Sequence, residues 1–180
     1  MQTRELVAHG AFPPDRVRQV TSACGIVGGW LQLGWVVCPS ASLVLPDKTE
    51  AGRASDLWKT TCLELFVKTR GASAYSECNF ALSGQWAAYD FCNWREGMTD
   101  RPLSHDPIIT VDNGSEAMVC KVALPLSDLP DLPADIALTC VLEEQGGAIS
   151  YWAAAHASPD KPDFHDASCF GFSLGPPHAL

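Results

Sequence analysis

The sequence predicts one all-β domain, an antiparallel β-sandwich, because turn signals divide it into short apolar runs and helical periodicity is almost absent. Three dipeptide turns, Ser83-Gly84, Asn113-Gly114 and Gly146-Gly147, each separate two runs with strand character. Asn-Gly is the strongest of these signals, since a type I′ turn needs positive φ at both central residues. The 180 residues are enough for a single domain with a sizeable core, covering the whole chain, 1–180.

Strand-like runs lie on both sides of each dipeptide turn, and further runs precede them. Their number and their turn-punctuated spacing favour a sandwich over a parallel α/β fold. One short helical turn is predicted near Pro125–Leu129. The predicted strands are Val17–Ala23, Leu31–Cys38, Cys62–Lys68, Tyr75–Leu82, Gln85–Cys92 and residues 108–112, 115–124, 134–145 and 148–156.

Composition and charge exclude several classes of partner. Hydrophobic residues make up 47% of the chain and charged residues 18%, which is typical of a globular protein. The formal net charge of −9 argues against nucleic acid and anionic membrane surfaces, because both are bound through Lys and Arg. No apolar run approaches the roughly 18 residues of a membrane span. Residues 1–12 mix charges where a signal peptide would be apolar, so a cytoplasmic location is expected.

The eight cysteines do not have the spacing of a zinc or disulfide framework. They are separated by at least 14 residues, so the chain has no CxxC motif. Most lie within apolar runs, where a free cysteine behaves as a small buried hydrophobic residue. We therefore expect reduced thiols in the core.

Strand alternation predicts a face with acidic and amide side chains among aromatic rings. It places Glu64 on the face of its strand opposite to Leu63, and Glu77 together with Asn79 on one face of the next strand. If these strands are neighbours, Glu64 and Asn79 could form a hydrogen bond across the sheet. The face, with Tyr89 added, could be a ligand platform, the solvated side of a half-exposed sheet, or a buried structural network.

These residues belong to a longer pattern that resembles a known family. The pattern LW-x-x-TC-x-E-x-F starts at Leu57, E-x-N-F-x-x-SG-x-W-AAY-x-F starts at Glu77, and WREGM starts at Trp94. Together with YWAAAHASPDKPDFHDASCF from Tyr151, it resembles bacterial DOMON-like proteins, relatives of family 9 carbohydrate-binding modules, over about residues 5–175. The resemblance implies a jelly-roll-type sandwich whose relatives bind sugars, with calcium-supported contacts, or haem.

Aromatic residues are the natural partners of a sugar, because a ring stacks on the C–H face of a pyranose while acids and amides bind its hydroxyls. Trp58 and Trp94 are the best of the six tryptophans, since each flanks a strand within polar sequence. Trp30, Trp35 and Trp86 lie in alternating strand patterns and are expected to pack in the core. The predicted ligand-binding residues are Trp58, Glu64, Asn79, Trp94, Arg95, Trp152, His156 and His165.

A metal or haem site receives less support from the residues. The polar cluster between His156 and Asp166 has no spacing tied to a metal site, so loop hydrogen bonding is expected there and no metal ligands are predicted. Non-covalent haem would need Met98 with His156 or His165, while Met118 lies on a core-patterned strand. Calcium remains a second possible cofactor, and none is required.

Catalysis is not predicted, because the GxSxG, HExxH, Walker A and GxGxxG motifs are all absent. Glu64 and Glu77 could form a glycosidase pair, but sequence does not fix the spatial distance that such a pair requires. We predict a non-catalytic sandwich that binds a carbohydrate on one sheet face or loop end. The alternatives are a haem-binding DOMON domain and a protein-interaction or regulatory domain that uses the same face for a protein partner.

Overall fold

A computed structural model describes residues 1–47, 49–114 and 116–175. These residues form thirteen β-strands and three one-turn 3₁₀ helices, with no α-helix among them. The 3₁₀ helices are Leu57–Lys59, Leu126–Asp128 and Ala167–Cys169. The strands are β1 (Gln2–Ala8), β2 (Gln19–Val27), β3 (Trp30–Cys38), β4 (Gly52–Arg53), β5 (Cys62–Thr69), β6 (Tyr75–Ala81), β7 (Gln85–Phe91), β8 (Thr99–Asp100), β9 (Ile108–Asn113), β10 (Met118–Pro125), β11 (Ala134–Glu143), β12 (Ile149–Ala153) and β13 (Phe172–Leu174).

The strands form one mixed sheet in the order β4-β7-β6-β5-β11-β12-β1-β2-β3-β10-β9, with β13 beside β11 and β8 beside β7. The pairing of β4 with β7 is parallel, and the other pairings are antiparallel. Strand β1 joins two halves of the sheet, because Gln2–Leu6 pair with β2 whereas Val7 and Ala8 pair with β12. We call β2–β3–β10–β9 the first half and β4–β7–β6–β5–β11–β12 the second half.

The sheet curls so that the two halves share one main core. Leu31, Leu33 and Trp35 point into this core from β3, and Leu63 points into it from β5. Their two-residue spacing is the period with which side chains alternate across a strand. The centroids of the Trp35 and Phe80 rings, one from each half, lie 6.3 Å apart. One apolar face of each half is therefore buried against the other.

The all-β prediction is confirmed, and two of the three predicted turns form as expected. Gly84 has φ of 100° in the turn between β6 and β7. Gly146 and Gly147 have φ of 104° and 89° between β11 and β12. Only glycine adopts these angles without a steric penalty, so the turn residues determine where each hairpin reverses. The helical turn predicted near Pro125–Leu129 is the 3₁₀ helix Leu126–Asp128.

The type I′ turn predicted at Asn113-Gly114 is wrong, although the hairpin itself forms. Asn113 is the last residue of β9, and it pairs directly with Met118 of β10. The connection is therefore longer than two residues, and its Gly114 N–H donates to the carbonyl of Ala117. Residue 113 stays in the extended ladder because the register of β9 places Val111 against the buried Cys120.

The sequence does not predict strand β1, because its residues lack the alternation of a half-buried strand. Of its seven residues only Leu6 is buried, whereas Arg4, Glu5 and Val7 are exposed. The strand is held instead by its backbone pairing with both halves of the sheet. Among the described residues, no helix is long and apolar enough to cross a membrane.

Candidate ligand-binding face

The candidate site lies on the outer face of the second half, the face that points away from the main core. Cys62, Glu64 and Phe66 of β5 lie on it, because Leu63 and Leu65 between them point into the main core. This face is not the solvated side of a half-exposed sheet, since every residue from Thr61 to Val67 and from Tyr75 to Ser83 is buried.

A row of three polar side chains crosses the centre of this face on adjacent strands. In the register, Thr139 of β11 is directly opposite Glu64 of β5, and Glu64 is directly opposite Asn79 of β6. We call these three residues the polar row. Their exposed fractions are 0% for Thr139, 4% for Glu64 and 1% for Asn79. The next residue along the row is the small Ala87 of β7.

The polar row is only partly hydrogen-bonded. Asn79 Nδ2 donates to Glu77 Oε1 over 2.8 Å, and not to Glu64. Thr139 Oγ1 is buried without a partner, and the Glu64 carboxylate makes no hydrogen bond to any described residue. The predicted Glu64–Asn79 hydrogen bond is therefore absent even though the two residues are cross-strand neighbours. Unsatisfied polar groups are rare in protein interiors, so Thr139 requires an explanation, whereas the Glu64 oxygens keep a small contact with solvent.

Glu77, in contrast, accepts from Asn79 and lies beside a hydrogen-bonded network that involves two loops. The Arg95 N–H donates to the Tyr75 hydroxyl over 3.1 Å, and that hydroxyl lies 2.6 Å from His165 Nδ1. The hydroxyl has two lone pairs, so it can accept from both Arg95 and His165 or donate to His165. The Nε2 of His165 lies 3.7 Å from Glu77 Oε2, beyond hydrogen-bond distance. The network links β6 to the turn at residues 92–98 and to the C-terminal segment.

The electrostatics of the face favour neutral side chains. Burial, reinforced by the charge of Glu77, raises the pKa of Glu64 well above its usual value, and Arg95 opposes this only in part. Burial also raises the pKa of Glu77, against the Asn79 hydrogen bond and the charge of Arg95. Burial, with the charge of Arg95, lowers the pKa of His165 to about 4. Desolvation disfavours the charged form of both kinds of group.

Trp58 and Trp94 flank this face near opposite ends of β6. Leu57, beside Trp58, packs with Ala81 at one end of the strand, while the turn that carries Trp94 bonds to Tyr75 at the other. The six residue steps from Tyr75 to Ala81 span about 20 Å. The tryptophans are 52% and 56% exposed, respectively, although large aromatic side chains are usually buried.

The backbone near both tryptophans is unusual. Asp56, two residues before Trp58, has φ of 60°, and Arg95, directly after Trp94, has φ of 55°. They are the two non-glycine residues with positive φ in residues 1–47, 49–114 and 116–175. Such conformations cost free energy and concentrate at functional sites. The loops that carry the two exposed tryptophans are therefore the most strained non-glycine backbone in this part of the chain.

Arg95 has a structural partner. Its guanidinium donates to Asp163 Oδ1 from Nη2 over 2.7 Å and from Nε over 3.2 Å. The same Asp163 oxygen accepts the backbone N–H of His165 over 3.1 Å. The pair fastens the 92–98 turn to the C-terminal segment, where Phe164 and Cys169 cover the Phe66 end of the face.

Two of the predicted ligand-binding residues, Trp152 and His156, lie away from the polar row and from the two exposed tryptophans. Trp152 is 4% exposed within the main core, and its Nε1 donates to Ser150 Oγ over 2.9 Å. Its position in β12 points inward because the alternate residue Tyr151 occupies the outer face. His156 donates from Nε2 to the Val7 carbonyl over 3.0 Å and stacks edge-on against His9. We therefore leave Trp152 and His156 out of the candidate site.

The polar cluster of the C-terminal segment bonds its own loop, as the sequence favours. Asp166 caps the 3₁₀ helix by accepting the Ser168 N–H, and Ser158 Oγ accepts the N–H of Asp160. No group of three or more His, Cys, Asp or Glu converges on a possible metal position among the residues described. Met98 is exposed, whereas Met118 is fully buried in the main core.

Thr139 and Tyr75 are the members of the face that sequence analysis did not select. Alternation along 134–145 already groups Thr139 with Ala137 and Val141, so its face could have been assigned once β11 was known to neighbour β5. Tyr75 begins its strand as an ordinary aromatic residue. Its role depends on the distant His165, a contact between residues 90 positions apart.

Two surface depressions lie away from the polar row. One of about 340 Å³ adjoins Arg16, Ser42 and Gln145, and one of about 530 Å³ lies between Val7–Gly10 and Ala154–Pro159. Neither is lined by Glu64 or by the exposed tryptophans. We give more weight to the sheet face, because it combines exposed aromatic rings with unsatisfied polar groups.

Comparisons with known proteins find similarity in structure and not in sequence. No family model matches it, and no curated protein matches it in sequence. A solved structure of a putative carbohydrate-binding protein from Bacteroides uniformis superposes with a TM-score of 0.65 at 15% identity, covering 94% of this chain and 84% of that one. A family 9 carbohydrate-binding module from Caldicellulosiruptor kristjanssonii, in complex with glucose, superposes with a TM-score of 0.44 at 10% identity, covering 86% and 80%. The first similarity shows a shared fold.

Proposed function

We propose that the protein is a non-catalytic carbohydrate-binding protein and that its ligand binds on the outer face of the second half. Trp58 and Trp94 supply the aromatic surfaces, and Glu64 with Asn79 accepts hydrogen bonds from sugar hydroxyls. Arg95 positions the turn that carries Trp94, and His165 positions Glu77. The fold shared with a structure described as carbohydrate-binding supports the same class of function.

The observation that carries this proposal is the pairing of two exposed rings with an acid that accepts no hydrogen bond from the described residues. Trp58 and Trp94 expose more than half of their surface beside the same sheet face on which the Glu64 carboxylate has no hydrogen-bond partner among the described residues. A sugar resolves both features at once, because it offers an apolar C–H face to the rings and hydroxyl donors to the acid. A purely structural role would leave both unexplained.

We also propose that the curled sheet is a β-sandwich of the jelly-roll type. The shared main core and the Trp35–Phe80 contact, with one ring from each half, support this proposal. In such sandwiches ligands bind at the loops and on the outer sheet surfaces, which is where the two tryptophans lie.

A thermal-shift screen tests the proposed function, with monosaccharides, disaccharides, muropeptide-type sugars, calcium and haem as ligands. A ligand at 100 times its dissociation constant stabilises the native state by about 2.7 kcal/mol, which gives a clear rise in Tm. We expect a sugar to raise Tm, and we expect the variant of the ring that it contacts, Trp58→Ala or Trp94→Ala, to weaken its binding at least about tenfold, or about 1.4 kcal/mol.

Ile108→Ala is the matched control, since Ile108 is a similarly exposed apolar residue at 57% on β9 of the first half. The control should bind the sugar as the wild type does. A Tm that responds to none of the sugars, or sugar affinity unchanged in both tryptophan variants, would contradict the proposal. Recovery of a stable protein complex in the first case would favour the interaction-domain alternative.

A further inference from the structure

Resting on the proposed function, we infer that the ligand is a linear chain of neutral sugars that contacts Trp58 and Trp94 at the same time. The separation of the two exposed rings sets the length of such a chain, and the charges beside the rings set its class. Neither feature depends on an ionised Glu64.

Strand β6 holds Trp58 and Trp94 at a fixed separation. Leu57, directly before Trp58, is buried against Ala81 at one end of this strand. At the other end, the backbone N–H of the residue after Trp94 donates to the Tyr75 hydroxyl over 3.1 Å. Because the two loops are fastened to opposite ends of one strand, the two indole rings cannot close on a single sugar ring.

A third aromatic residue, Tyr89 of β7, lies between these ends. It is directly opposite Glu77 in the register, two residues along β6 from Tyr75. It packs against the cluster that contains Tyr75 and also against the cluster that contains Leu57. Tyr89 is partly exposed, and its hydroxyl forms no hydrogen bond with any described residue. The two tryptophans therefore have an aromatic ring with a free hydroxyl between them.

The span of about 20 Å along β6 sets the length of the chain. A sugar ring is about as wide as the distance between neighbouring strands, roughly 5 Å, so about four sugars in a row reach from one tryptophan to the other. A monosaccharide or disaccharide reaches only one. Each aromatic ring binds the apolar C–H face of a sugar, and a chain bound at one tryptophan is presented to the other at high effective concentration.

The charges beside the rings favour neutral sugars over sugar acids. A cation beside each ring already has a carboxylate partner, so it is not free to bind an acidic sugar. The net charge of −9 disfavours an acidic chain further. The pairs are Lys59–Asp56 at Trp58, Arg95–Asp163 at Trp94 and Arg101–Asp90 at Tyr89, with nitrogen-to-oxygen distances of 2.8, 2.7 and 2.7 Å.

Chain length is the variable to test. Oligosaccharides of cellulose, xylan and mannan, from the monosaccharide to the hexasaccharide, are titrated calorimetrically. We expect the tetrasaccharide of at least one series to bind at least about tenfold more tightly than its disaccharide, with one chain bound per protein. The tetrasaccharide of galacturonic acid, an acidic chain of the same length, should bind more weakly.

Trp58→Ala and Trp94→Ala should each remove the advantage of the tetrasaccharide, because one tryptophan is then left for the chain to contact. Ile108→Ala, on the first half, should keep the full advantage. All three side chains are more than half exposed, so the variants should keep the Tm of the wild type.

The outcomes separate this inference from the proposed function. An advantage of less than about tenfold, an advantage that survives in either tryptophan variant, or two chains bound per protein would overturn the inference while the proposed function stands. Equal or tighter binding of the galacturonic acid chain would overturn the neutral class. Binding of no saccharide at any length would overturn both proposals.

Discussion

Asn79 donates to Glu77 Oε1 along its own strand over 2.8 Å, although its direct neighbour across the sheet is Glu64. This hydrogen bond gives the Glu77 carboxylate a side-chain donor, whereas the Glu64 carboxylate receives none from the described residues. Two glutamates with the same chemistry on one face therefore have different environments. Glu77 accepts from Asn79 of β6 and lies 3.7 Å from His165 of the C-terminal segment, whereas Glu64 has no donor among the described residues.

Glu64→Gln should stabilise the ligand-free protein at neutral pH. Burial, and then the charge of Glu77, raises the folded-state pKa of Glu64, so the folded protein holds this proton more tightly than the unfolded chain. Stability therefore falls as pH rises from the ordinary pKa of glutamate through the raised folded-state value. The variant should gain at least about 1 kcal/mol in the free energy of unfolding at neutral pH. Urea unfolding at several pH values measures the gain, which should disappear in acid.

Glu144→Gln makes the same chemical change at another buried glutamate and should have the opposite effect. Glu144 is fully buried, and its carboxylate accepts the backbone N–H groups of Asp15, Arg16 and Val17 and the hydroxyl of Ser42. Burial alone would raise its pKa, but these four hydrogen bonds together lower it. Its contribution is present above the ordinary glutamate pKa and is lost as pH falls through the lower folded-state value.

In Glu144→Gln, an NH₂ group takes the place of one carboxylate oxygen. It would face the N–H and O–H donors that this oxygen accepts from in the wild type. We expect a loss of about 2–4 kcal/mol in the free energy of unfolding at neutral pH. Chemical denaturation, carried out beside Glu64→Gln, measures it. An unchanged or increased stability would show that the loop at residues 15–17 is not fastened by this carboxylate.

His165 should make the protein less stable in acid. Its folded-state pKa of about 4, set by burial and then by the charge of Arg95, lies below the usual 6.5. Between these values the unfolded chain binds the proton and the folded protein does not, so stability falls as pH decreases from 6.5 toward 4. The contribution is at most about 1.4 kcal/mol per pH unit.

His165→Gln isolates this contribution, because Glu64 and Glu77, whose pKa values are raised, give a slope of opposite sign at acidic pH. The variant should show a smaller loss of unfolding free energy than the wild type between pH 6.5 and about 4. His105→Gln, at an exposed histidine, is the control and should follow the wild type. Parallel slopes in all three proteins would refute the assignment of a neutral His165.

The sequence could predict the strands and turns because those features are local. Alternation placed Glu64 and Leu63 on opposite faces, and Gly84 and Gly147 marked hairpins that form. It could not predict that the outer face is buried. That burial comes from Phe164 and His165, which reach β5 and β6 from about 100 residues along the chain. The direction of the Asn79 amide is equally non-local, since it depends on how Glu77 is held.

The register also explains where local reasoning failed. Asn113-Gly114 has the composition of a two-residue turn, but pairing of Asn113 with Met118 lengthens the connection. The sequence predicts Trp152 as a ligand contact, but the pairing of Cys140 with Trp152 places both in the main core. In each instance the pairing with the partner strand determines where the residue lies. The pattern of a single strand does not contain that pairing.

Cys92 should be the fastest-reacting thiol of the native protein. All eight cysteines are free, and Cys92 is exposed. Burial raises the pKa of the Cys24 thiol to about 11 and that of Cys120 to about 12, and it also raises the pKa of Cys62, so these core thiols are both protonated and inaccessible.

A thiol-specific chromogenic reagent under native conditions should therefore show one fast phase, and denatured protein should show eight reactive thiols. Cys92→Ser should remove the fast phase, and Cys38→Ser, at a half-buried thiol, should retain it. A fast phase that persists in Cys92→Ser would mean that a core strand opens to solvent more readily than its packing implies. Fewer than eight thiols after denaturation would instead reveal a disulfide.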